Sequence, residues 1–133
     1  MSDFEKAKIH LELSLKMGEQ YSLPEQIVAA YCSLAELALK QGNSDDALQN
    51  LAKAETLQTE RMVEESGWVE LLCLRAEAKL QNDLFEEALT DAVRSVEFAL
   101  KSEMDIEAGK GQRVMGQAFY HIGRPREGDI AFE

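Results

Sequence analysis

The residues with the most chemical potential in this sequence are two cysteine–glutamate pairs, Cys32 with Glu36 and Cys73 with Glu77. The same step of 41 residues separates the two cysteines (73 − 32) and the two glutamates (77 − 36). Residues four apart share one helical face, so these thiols and carboxylates could bind a metal ion together. A structural repeat produces the same spacing without any ligand, and helix axes about 8 to 10 Å apart do not readily bring two thiolates to one ion. We therefore expect no metal and no cofactor, and interpret the four residues as the lining of a repeated surface.

The other residues that could support catalysis lack the partners that catalysis needs. Neither His10 nor His121 stands in a sequence signature with a nucleophile or a carboxylate. The segment Gly109-Lys110-Gly111 lacks the spacing of a phosphate-binding loop and follows no strand, so we expect its glycines only to loosen the start of a helix. The sequence predicts a protein that is not an enzyme.

These residues must be positioned by helices, because the apolar residues recur with helical period and no segment alternates with period two. The pattern predicts an all-α fold of about six helices, with a further helix only begun at Glu133. The first predicted helix has about four turns, and its end is weakened at Gly18. The other predicted helices cover residues 23–41, 45–62, 68–81, 84–101 and 105–122.

Capping and turn residues set the predicted boundaries. Ser2 or Asp3 is expected to cap the first helix, and Ser22 with Glu25 has the spacing of a capping box for the second. Ser44 or Asp45 is expected to cap the third helix, after a turn at Gly42-Asn43. Trp68 is predicted to pack between the second and third hairpins.

A repeat of about 40 residues runs through the chain. Small residues recur at Ala7, Ala47, Ala88 and Gly128, with steps of 40, 41 and 40 residues. The same register aligns a second set, Ala35, Ala76 and Gly116, and a set at the turns, Gly42, Asp83 and Gly123. Antiparallel helices approach closely only where side chains are small, so these positions predict stacked hairpins within one domain, 1–133. Its parts are a half repeat (1–21), two repeats (22–63 and 64–102) and a truncated repeat (103–133).

The motif resembles the tetratricopeptide repeat family. The family motif has an apolar and a small residue in the first helix, here Leu34-Ala35. A turn glycine follows, here Gly42, and a small residue lies five positions later, here Ala47. The last unit has Met115-Gly116, Gly123 and Gly128 at the same places, whereas the middle unit departs with Arg75 and Lys79 at positions usually apolar. The period is similar to that of the long-helix subclass in MalT-type regulators, kinesin light chains and Pins-like scaffolds. The resemblance implies an α-solenoid of antiparallel hairpins wound into a right-handed superhelix.

In this family the first helices line a concave groove that receives a peptide or a helix, and the resemblance implies the same function here. The carboxylates Glu36, Glu70 and Glu77 predict a partner segment with basic residues beside its apolar anchors. The anion clamp by which some family members hold a chaperone's C-terminus is absent, because only Lys110 fits it. The predicted groove residues are Ala29, Cys32, Glu36, Leu39, Glu70, Cys73, Glu77, Leu80, Lys110, Arg113, Gln117 and Tyr120.

The net charge of the chain argues against nucleic acids and membranes as partners. The 14 Lys and Arg residues against 25 Asp and Glu give a formal charge of −11, which repels phosphate backbones and anionic membranes. We therefore expect a protein or peptide partner, with no nucleic acid and no membrane. The N-terminus lacks the order of a signal peptide and no apolar run could span a bilayer, which favours a cytoplasmic location and reduced cysteines.

Three functional interpretations follow. The first is a non-catalytic interaction module within a larger regulatory or scaffold protein, because the units at both ends look incomplete. The second is self-association, including a homodimer through open ends where Ile130 and Phe132 would be exposed. The third is a sensor of a small ligand or signalling peptide.

Overall fold

Six α-helices make up the described chain. The computed structural model describes residues 2–61 and 63–123, and these residues contain no strand. The helices are α1 (Asp3–Gln20), α2 (Pro24–Lys40), α3 (Ser44–Glu60), α4 (Ser66–Gln81), α5 (Phe85–Lys101) and α6 (Asp105–Ile122). The all-α prediction is confirmed, and the predicted boundaries of α2 to α6 differ from the observed ones by no more than two residues within the described ranges. Helix α1 continues past Gly18 to Gln20 and is longer than predicted.

Successive helices pack as hairpins, and successive hairpins pack on each other. Helix α2 pairs with α3 and α4 with α5, while α4 also contacts α3 and α6 contacts α5. The first helices of neighbouring units touch as well, since α2 contacts α4 and α4 contacts α6. Side-chain bonds join the two hairpins at their turns, where Gln81 Nε2 donates to the Leu39 carbonyl oxygen at 3.2 Å. Helices α2, α4 and α6 therefore lie side by side.

Small residues are buried at equivalent positions of α2 to α6, as the repeat pattern predicts, whereas Ala7 of α1 is only half-buried. Ala35, Ala47, Ala76 and Ala88 are completely buried, and Gly116 is buried at the equivalent place in α6. Around the first crossing, Leu51 and Leu71 fill the core between α2, α3 and α4. Gly42, Asp83 and Gly123 adopt positive φ angles of 73°, 60° and 89° at equivalent turns, as the turn pattern predicts.

Two predicted helix caps are wrong. Ser22 has a φ of 54° and belongs to the turn, so the predicted capping box does not form, and Leu23 precedes α2 without a side-chain cap. For α3 the cap is Asn43, whose Oδ1 accepts from the Asp46 amide at 3.2 Å, instead of Ser44 or Asp45. Helix α2 begins one residue later than predicted and α3 one residue earlier. A single residue with positive φ, Ser22 or Gly42, is enough to reverse the chain before each of them. The Ser2 cap of α1 is confirmed.

Trp68 and Gly111 have different roles from those predicted. Trp68 packs against the core cluster shared by α2, α3 and α4, so it joins the first hairpin to the second and not the second to the third. Gly111 lies within α6, buried against Val96 of α5, and therefore permits close helix packing there. The second helix of the truncated unit, with Gly128, Ile130 and Phe132, lies outside the described residues.

Candidate functional site

A cavity of about 840 Å³ lies on the face shared by α2, α4 and α6. Eight of the twelve predicted groove residues line it, so the repeat register places them on one surface. They are Glu36, Glu70, Cys73, Glu77, Leu80, Lys110, Arg113 and Gln117. We call this space the groove cavity.

The other four predicted residues lie elsewhere. Ala29 and Cys32 line a smaller neighbouring cavity of about 130 Å³, which shares Glu70 with the groove cavity. Leu39 is buried in the core between α2, α3 and α4, and its assignment to the groove surface is wrong because its side chain packs into that core. Tyr120 is 67% exposed, lines neither of these cavities, and contacts His121 edge-on with ring centroids 5.6 Å apart. The predicted apolar edge is therefore reduced to Leu80.

Apolar side chains supply the rest of the floor. Val69, Leu74, Val114 and Met104 line the groove cavity beside Cys73. Burial, together with the nearby Glu77 carboxylate, raises the pKa of Cys73 to about 12. The Cys73 thiol therefore stays protonated at neutral pH and contributes to the cavity as a small apolar group.

The carboxylates of the groove cavity are held in an unfavourable environment. Burial raises the pKa of Glu70, and the nearby Glu36 raises it further, while Lys110 partly offsets both effects. Burial and Glu36 likewise raise the pKa of Glu77, and Lys110 and Arg113 lower it. Glu70 is nevertheless exposed and Glu77 half-buried, so the surrounding side chains displace only part of the water that would otherwise stabilise the ionised forms.

The acidic and basic groups face one another without direct pairing. Within residues 2–61 and 63–123, Glu70 and Glu77 have no basic group within 4.0 Å, and Lys110 and Arg113 have no carboxylate within that distance. Glu36 has only an exposed contact along its own helix, 3.7 Å from Lys40 Nζ, and such contacts contribute little. The cavity therefore presents charges of both signs that a bound molecule could reach.

The cysteine and glutamate ladder does not form a metal centre in the described residues. No group of three or more His, Cys, Asp or Glu side chains is arranged there to hold a metal ion. The pKa of Cys32 is also raised to about 12, by burial first and then by Glu70, which disfavours the thiolate that a metal would require.

Sequence reasoning missed a buried ionic cluster behind the groove cavity. Arg75 of α4 binds Asp91 of α5 through two hydrogen bonds of 2.9 and 3.0 Å, and Lys79 Nζ lies 2.8 Å from Asp91 Oδ2. Arg75 also pairs with Glu55 of α3. In the sequence Arg75 and Lys79 occupy positions that are usually apolar, and their pairing with Asp91 explains why charged residues are present there. The cluster fixes α4, which carries Glu70 and Glu77, against α3 and α5.

Comparison with protein-family models, curated proteins and solved structures finds no match to this chain. None of the helices in the described residues is long and apolar enough to cross a bilayer. The groove cavity is the structural feature on which we base a functional proposal.

The groove cavity combines three properties of a recognition site. It is concave and has a volume typical of ligand sites, roughly 300 to 1,000 Å³. Its floor is apolar, and its charged groups stand on rigid helices instead of loops. Four further lining residues, Ser66, Gly67, Gln81 and Glu107, were not predicted, because three lie at the two ends of α4 and Glu107 depends on the orientation of α6.

Proposed function

We propose that this chain is a non-catalytic interaction module of the tetratricopeptide type, an α-solenoid that binds a peptide or helical segment of another protein in the groove cavity. The observation that carries the proposal is the state of Glu70 and Glu77. Their carboxylates line the cavity, have raised pKa values, and have no described basic partner within 4.0 Å.

A partner with basic side chains would supply the contacting positive charge that Glu70 and Glu77 lack among the described residues. A Lys or Arg beside Glu70 and Glu77 would stabilise their ionised forms, and the low water content of a filled cavity would strengthen the attraction. Apolar side chains of the same segment would cover Val69, Leu74 and Val114 on the floor. Affinity would then come from apolar burial, and selectivity from charge.

Charge reversal in the cavity tests this function. Peptides would be selected from a random displayed library on the unmodified protein, and their affinities measured for the double variant Glu36→Lys and Glu77→Lys. A second double variant, Glu60→Lys and Glu97→Lys, alters exposed residues of α3 and α5 and changes net charge equally. Binding should be lost only in the first variant. If both variants bind alike, the groove cavity is not the site.

Self-association is the second candidate, and helix α1 favours it. Ile9, Leu13 and Met17 stand four residues apart and are each about half exposed. At the positions equivalent to Ile9 and Leu13, helix α3 carries the polar residues Gln49 and Lys53. An apolar stripe on one helix face is suited to pairing with the same stripe of a second copy.

Light scattering across a concentration series tests this candidate. If α1 mediates assembly, the unmodified chain will form dimers at high concentration and Leu13→Lys will remain monomeric. Leu100→Lys is the matched control, because Leu100 is similarly exposed but lies on α5. A monomer at every concentration rules self-association out.

A further inference from the structure

The two sides of the groove cavity carry different charged residues, with the basic side chains on α6 only. Glu36, Glu70 and Glu77 of α2 and α4 form one side, which we call the acidic wall. Lys110 and Arg113 of α6 form the other, the basic wall, and Glu107 of α6 also lines the cavity one turn before Lys110, where its charge acts on Glu70. The two basic residues are three positions apart and so lie on one helical face, which Gln117 continues one turn later.

The two walls face each other across the cavity. Lys110 acts on both Glu70 and Glu77, and Arg113 acts on Glu77, so their charges are near enough to influence one another. They are nevertheless more than 4.0 Å apart, since no ion pair joins them within the described residues. The attraction across this gap therefore acts without contact.

A segment that entered the gap would displace water from both walls. Removing water from a charged group is costly unless an opposite charge or hydrogen bonds replace it. A segment with basic residues alone would pair with the acidic wall but leave Lys110 and Arg113 desolvated and facing like charge. A segment with acidic residues alone would fail at the other wall for the same reason.

We propose that the groove cavity selects segments that carry both charges, with a Lys or Arg directed to Glu70 and Glu77 and an Asp or Glu directed to Lys110 and Arg113. This inference rests on the proposed function and adds a basic wall that binds an anionic side chain. In an extended segment the two charged residues would be adjacent, because successive side chains point to opposite sides. Such a segment is nearly neutral, so the overall charge of −11 does not drive its selection.

The displayed random library distinguishes this inference from the proposed function. Peptides enriched on the unmodified protein should carry both a basic and an acidic residue at a fixed spacing. Peptides enriched on the double variant Lys110→Glu and Arg113→Glu should keep the basic residue and lose the acidic one. The control Lys6→Glu and Lys16→Glu changes net charge equally on exposed positions of α1 and should select the same peptides as the unmodified protein.

Single peptides give the quantitative test. Replacing the acidic residue of an enriched peptide with its amide should weaken binding to the unmodified protein about tenfold or more, as expected for loss of a charged hydrogen bond. The same replacement should not weaken binding to the Lys110→Glu and Arg113→Glu variant, whose helicity is checked by circular dichroism. Enriched peptides with basic residues only would overturn this inference and leave the proposed function standing. If no peptide is enriched, both are wrong.

Discussion

A Cβ atom built on Gly111 of α6 would lie 2.6 Å from Val96 Cγ2 of α5. Such a distance is too short for two carbon atoms, and a valine side chain has few other rotamers in a helix. The α5–α6 contact therefore depends on the absence of a side chain at Gly111.

Gly111→Ala should destabilise the protein by about 1 to 3 kcal/mol through overpacking against Val96. Gly109 is the matched control, because it lies two residues earlier in α6 with no heavy atom within 4 Å of its Cβ position. Gly109→Ala should instead stabilise the protein by roughly 0.5 to 1 kcal/mol, since alanine favours helix. Urea denaturation of both variants measures the difference. Equal effects would show that α5 and α6 are not in close contact here.

Asp91→Asn should lower the free energy of unfolding by about 3 kcal/mol, because it leaves Arg75 and Lys79 without their shared buried anion. Asp91 is only 3% exposed, so water cannot replace the lost charge. The control is Glu87→Gln, since Glu87 lies 4.0 Å from Lys79 but is mostly exposed. That variant should change stability by less than about 1 kcal/mol. Similar urea midpoints for the two variants would contradict the buried cluster.

The small residues at the helix crossings can be predicted from the sequence, whereas the buried ionic cluster cannot. The small residues at Ala35, Ala47, Ala76 and Ala88 could be found from the sequence because each repeats a local steric requirement at a fixed period. The pairing of Arg75 with Asp91 does not repeat, and it joins residues on different helices. Periodicity identified Arg75 as an exception but could not identify its partner.

The groove cavity likewise has features that the sequence predicts and features that it does not. Period and helical face were sufficient to place Glu36, Glu70, Glu77 and Lys110 on one cavity. Leu39 was misplaced because helical spacing puts it on the face of Cys32 and Glu36 but does not reveal that its side chain packs into the core. The unfavourable state of Glu70 and Glu77 could not be predicted, since it depends on how much water the surrounding side chains displace.

The stability of the protein should depend on pH through Glu70 and Glu77. Both pKa values are raised above the ordinary 4.5 in the folded chain, mainly by burial and then by Glu36. Well below pH 4.5 both groups are protonated in the folded and unfolded states and have no effect. As pH rises from about 4.5 through the raised values, the folded state binds more protons than the unfolded state, so stability falls.

The double variant Glu70→Gln and Glu77→Gln should lack this fall. Its free energy of unfolding should exceed that of the unmodified protein at pH 7, and this difference should shrink as pH is lowered through 4.5. Glu60→Gln with Glu97→Gln serves as the control, because both residues are exposed on α3 and α5. Urea denaturation at a series of pH values provides the measurement. An advantage that stays constant with pH would show that ionisation of the two groups is not its cause.

The ionic cluster also limits how the hairpins can be rearranged. Leu34, Ala38 and Asn50 stand 41 positions before Arg75, Lys79 and Asp91 (75 − 34, 79 − 38 and 91 − 50), so the first hairpin has no charge at these places. A chimera that paired α4 with a copy of α3 would leave Arg75 and Lys79 without the carboxylate of Asp91, which both contact. Because Arg75 also forms an ion pair with Glu55 of α3, helix α4 depends on the preceding hairpin as well. Recombination of this protein should therefore tolerate an exchange of α4 and α5 only as a unit that keeps α3 before it.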